Sequence, residues 1–74
     1  DKAEVDFILN FGKEILPIEA KYSLLKEPIL TRSLRSFIEK YKPQRVFIVN
    51  LSLNQKINVN GTEVNFMPFY LLKI

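Results

Sequence analysis

A chain of 74 residues has room for one domain and for little more than one hydrophobic core. With 47% hydrophobic and 12% aromatic residues and only two glycines, it is a folding sequence and not a disordered tail. The absence of Cys and His excludes disulfides, the usual zinc sites and Ser-His or Cys-His nucleophilic catalysis by this chain alone, so any metal would be a hard cation on oxygen ligands. The net charge of +3 permits contact with phosphates but does not argue for it. No apolar run approaches membrane-spanning length and nothing resembles a secretory signal; the expected location is the cytoplasm. The chain starts at Asp1 without an initiating Met, and is read here as a fragment of something longer.

In chain order, Glu4–Leu9 (EVDFIL) alternates, with Val5, Phe7 and Leu9 on one face and Glu4, Asp6 and Ile8 on the other, as expected of a strand with one face on a core. Asn10–Lys13 (NFGK) supplies turn residues. Ile15–Tyr22 (ILPIEAKY) alternates again: Leu16, Ile18, Ala20 and Tyr22 are apolar, and Glu19 and Lys21 lie opposite. Pro17 cannot donate a ladder hydrogen bond and suggests an edge position or an irregularity. With Phe11 to Glu14 as a four-residue loop, an antiparallel hairpin sets Leu9 against Leu16, Phe7 against Ile18, Val5 against Ala20 and Asp6 against Glu19. A register shifted by two keeps the same faces, whereas a one-residue slip would mix apolar and charged sides and is disfavoured.

From Ile29 to Lys42, apolar residues recur at helical spacing, with Pro28 suiting the first turn and Pro43 ending the helix. Arg45–Ser52 (RVFIVNLS) reads as a strand buried on both faces, parallel to the strand before the helix. Asn60-Gly61 is a strong hairpin signal, flanked by Ile57/Val59 and Val64/Phe66. Met67–Ile74 (MPFYLLKI) closes the chain as a short helix or a packed apolar end. The expected fold is an α/β domain, a mixed sheet of about four strands with one crossover helix.

Asp6, Glu19 and Lys21 share one face of this hairpin, the i, i+2 spacing setting Glu19 and Lys21 side by side. Two carboxylates on adjacent strands suit Mg²⁺, with the Ala20 carbonyl as a further oxygen ligand. A Mg²⁺ ion there would polarise a phosphodiester and acidify a bound water. Lys21 would stabilise developing negative charge or position the attacking water. The Glu-x-Lys triplet alone is weak, because this composition produces one readily and such a pair on a half-exposed strand is usually solvated. Asp6 on the partner strand is what strengthens it.

Together, EVDF, a short turn, PIEAKYS, a helix carrying LRSFIEKYKP, RVFIVN and the closing MPFYLL resemble the PD-(D/E)XK restriction-endonuclease-like superfamily. More narrowly, they resemble a domain of unknown function that closes a group of prokaryotic AAA+ ATPases. The resemblance covers essentially the whole chain. It implies a nuclease-like core in which Asp6 is the first acid, Glu19 the second and Lys21 the lysine of the motif. Val5 stands where the motif's proline is usually written, and the superfamily's first helix and strand do not fit in the five residues before Asp6. The chain is therefore expected to be a single partial nuclease-like domain, the C-terminal part of a longer ATPase. Its implied partners are nucleic acid and the linked AAA+ domain. Without catalysis, the same domain would be a docking or regulatory module.

Arg32, Arg35, Lys40, Lys42 and Arg45 could track a phosphate backbone, but suit the solvated face of a helix better. Phe37, Tyr41, Phe66, Phe69 and Tyr70 could stack on bases, but their spacing favours the core. Gly12 and Gly61 are isolated, so no Gly-rich phosphate loop is present.

Overall fold

A computed structural model describes residues 7–12 and 14–71. The elements run β1 (Phe7–Phe11), β2 (Glu14–Ala20), α1 (Arg32–Tyr41), β3 (Arg45–Asn50), β4 (Gln55–Val59), β5 (Thr62–Pro68) and a 3₁₀ turn at Phe69–Leu71. One mixed sheet of five strands carries them in the order β1-β2-β3-β5-β4. β2, β3 and β5 are parallel, and β1 and β4 pair antiparallel as the edges.

The first hairpin has the expected register, Phe7 opposite Ile18 and Leu9 opposite Leu16. Its turn is tighter than the four residues expected, since the ladder continues to Phe11 opposite Glu14. Gly12 at φ +62° makes this tightness possible, being in the left-handed region that favours glycine. Pro17 does not mark an edge: β2 lies between β1 and β3. Pairing with β3 begins at Ile18, one residue later, so the missing N–H falls outside that ladder. The pairings expected for Val5 and Asp6 lie outside the described residues.

The helix starts three residues later than its apolar pattern. Thr31 is the N-cap, its hydroxyl accepting from the Leu34 N–H at 3.2 Å, so Pro28 precedes the helix and is not in its first turn. At the other end Lys42 takes a left-handed conformation, φ 46°, and its N–H donates to the Ile38 carbonyl. Pro43 then stops the helix, as expected. The second hairpin turns through Asn60 (φ 51°) and Gly61 (φ 88°), the left-handed pair that an Asn-Gly turn requires.

The core lies on the helix side of the sheet. Leu34, Phe37 and Ile38 of α1, with Leu30 before it, pack on Val46 and Ile48 of β3 and on Val64 and Phe66 of β5. β3 alternates between buried and half-buried residues instead of being buried on both faces, because one helix covers one side only. Leu16 and Ile18 are buried but stand outside this cluster. Parallel partners share a face, so Glu19 beside Ile48 lies on the helix side, and Ile18 beside Phe47 on the other. The expected assignment is thereby reversed: the charged side of β2 faces the helix-covered core, and its apolar side faces away from the helix. No helix among the described residues is long and apolar enough to cross a membrane.

Candidate functional site

Glu19 and Ala20 are the last two residues of β2, and Lys21 follows directly. The sheet continues to hold the chain there: the Lys21 N–H donates to the Val49 carbonyl at 2.7 Å, and the Leu51 N–H to Ser23 at 3.2 Å. These bonds fix the backbone on which the triplet sits, at the carboxyl ends of the parallel strands. In open α/β sheets the crevice outside those ends is where ligands bind.

Glu19 is 8% exposed. A half-exposed strand face was expected; its position beside Ile48, under the helix side, accounts for the difference. Lys21 is half-buried and lines two hollows. One is a crevice of about 280 Å³ bounded by Ala20, Lys21, Tyr22, Asn50, Leu51 and Phe69. The other, of about 520 Å³, is lined by the segment that connects β2 to α1, including Leu24, Lys26, Glu27 and Thr31. Asp6 lies outside the described residues, so the structure brings together Glu19, Ala20 and Lys21 of the expected set. Among the described residues no group of three or more His, Cys, Asp or Glu side chains is gathered. The oxygen chemistry of Glu19 and the Ala20 carbonyl suits a hard cation, and a buried carboxylate is the kind of group around which one is held.

Asn50, which the sequence did not single out, organises this end of the sheet. Its amide donates to the carbonyls of Ile48, Leu53 and Met67, and its Oδ1 accepts from Ser52 and Leu53 N–H groups at 2.9 and 2.6 Å. A buried Asn closing a strand of apolar residues was the available signal.

The other charged and aromatic candidates divide. Arg32, Arg35, Lys40 and Lys42 are exposed, as a solvated helix face should be. Arg45 is engaged with Glu14, at 2.9 Å from both Nε and the terminal guanidinium nitrogen. Phe37 and Phe66 are in the core, but Tyr41, Phe69 and Tyr70 are exposed, contrary to expectation. Tyr41 ends the helix face and packs its ring against Phe37, the centroids 4.7 Å apart and the planes tilted by 42°. Phe69 and Tyr70 leave the sheet in the 3₁₀ turn, edge to face with each other at 5.5 Å. Tyr22, expected on the apolar face of a strand, lies beyond the end of β2 and is 90% exposed.

Residues 1–72 match a family model described as "Domain of unknown function (DUF4143)". No curated protein and no solved structure matches the chain.

Proposed function

The chain belongs to the DUF4143 family, and from its own residues we propose that it is a PD-(D/E)XK nuclease-like domain attached to an AAA+ ATPase, acting on nucleic acid with Mg²⁺. The observation that carries this reading is the run of Glu19, Ala20 and Lys21 at the carboxyl end of β2, with Ala20 and Lys21 lining the crevice there. The described register sets Phe7 opposite Ile18, and the reading requires Asp6 to follow it opposite Glu19. Asp6, Glu19 and the Ala20 carbonyl would hold the ion, which when bound supplies charge neutralisation and an acidified water. Lys21, anchored through its own N–H to Val49, presents its ammonium toward the phosphate and stabilises charge developing on it. Burial of Glu19 keeps competing water from the carboxylate and strengthens its attraction for a cation.

A catalytically inactive docking or regulatory module is the second reading. The edge strands β1 and β4, each paired on one side only among the described residues, are the feature that suits it. Calorimetric titration of the full-length protein with Mg²⁺ and Mn²⁺, with cleavage assays on DNA and RNA, separates the two. The nuclease reading expects metal binding that Glu19→Ala abolishes, and cleavage that Lys21→Ala lowers by a hundredfold or more while metal still binds. Metal-independent function that survives both substitutions would establish the docking module instead.

A further inference from the structure

Three large side chains that a small domain would ordinarily bury crowd the carboxyl end of the sheet: Tyr22 is 90%, Phe69 59% and Tyr70 67% exposed. Tyr22 and Phe69 both border the 280 Å³ crevice, and Lys21 borders it as well. That volume is at the lower limit for small-molecule sites, enough for one planar ring system. Asn50 also lines it, but its amide and its carbonyl oxygen are committed to five backbone groups. The crevice itself is lined almost wholly by apolar surface, and the other bordering residues whose side chains end in polar groups are Lys21 and Tyr22. Lys26 and Glu27 line only the neighbouring hollow.

A ligand matching this surface has flat apolar faces and a negative charge several bonds away from them. We propose that the crevice binds unpaired nucleotides of a single-stranded nucleic acid, a base stacking on Tyr22 and Phe69 while Lys21 meets its phosphate. The inference deepens the nuclease-like reading, and rests on it for the claim that nucleic acid is the substrate. Duplex DNA keeps its bases stacked on each other and cannot use the aromatic rings, so the surface selects single strands, frayed ends or loops. With the Asn50 amide occupied, little remains to read base edges, and stacking without strong base preference follows.

The test uses full-length protein and fluorescence anisotropy with labelled oligothymidylate, mixed-sequence single strands and a duplex of equal length, all with chelator present. Single strands are expected to bind more tightly than the duplex. Tyr22→Ala and Phe69→Ala should each weaken single-strand binding by about tenfold and leave the thermal melt unchanged, whereas Tyr22→Phe should retain it. Photocrosslinking from 5-iododeoxyuridine should map to Tyr22 or Phe69. Equal or tighter duplex binding, or unchanged affinity in both alanine variants, overturns the proposal; so does loss of binding to a protein partner, and not to nucleic acid, in those variants. Single-strand binding in chelator without any cleavage in Mg²⁺ would keep the stacking site and end the nuclease reading. Cleavage indifferent to Tyr22, Phe69 and strandedness would do the reverse.

Discussion

Asn50 shows how one side chain holds the working end of the sheet. It is 1% exposed and bonds five backbone groups, two of them N–H groups in the turn from β3 to β4. Asn50→Ala should cost about 2–3 kcal/mol, because those N–H groups lose their acceptor while still partly buried. Asn50→Asp should do no better, since a carboxylate keeps the acceptor but turns negative charge on the carbonyls of Ile48, Leu53 and Met67. Urea denaturation followed by circular dichroism measures both, and a loss under about 0.5 kcal/mol for Asn50→Ala would contradict the account. The sequence marks Asn50 as a polar residue closing an apolar run, but not what it bonds. That depends on where Leu53 and Met67 bring their carbonyls, which no local pattern encodes. The burial of Glu19 was hidden for a similar reason, since alternation marks two faces without saying which one a helix will cover.

At the level of elements, local chemistry had much more to say. Both hairpins were readable: the first from alternation that disfavours a one-residue slip, the second from Asn60-Gly61. The start of α1 was not, because Leu30 joins the core from outside the helix and extends the apolar pattern past the true N-cap at Thr31. The second turn gives a clean measurement of backbone cost. A Cβ placed on Gly61 would meet nothing within 4 Å, so Gly61→Ala carries only the penalty of φ +88°. That substitution should destabilise by about 1–2 kcal/mol, and Gly61→Asn by less, because Asn enters the left-handed region more readily. Thermal melts of the two variants should rank in that order. Equal melting temperatures would mean that the turn relaxes into another type.

Across the whole molecule, the three parallel strands give the sheet two chemically different ends. At the amino end, Glu14 opens β2 and Arg45 opens β3, and they pair with each other. At the carboxyl end stand Glu19, Lys21, Asn50 and the exposed rings. Five residues of extended chain separate Glu14 from Glu19, roughly 16 Å. The two ends should therefore be independent in energy. Arg45 is a strong phosphate-binding residue by type, yet its guanidinium is already committed and its side chain is 44% exposed. An exposed pair of this kind contributes little to stability. Arg45→Ala should shift stability by less than about 1 kcal/mol and leave metal and nucleic-acid affinity as they were. Lys21→Ala should do the opposite, sparing stability and lowering nucleic-acid affinity with a shallower dependence on salt. In the double variant the two effects should add. A coupling above about 0.5 kcal/mol, or a loss of nucleic-acid binding in Arg45→Ala, would show that ligand reaches the amino end and that the carboxyl-end crevice is not where binding is decided.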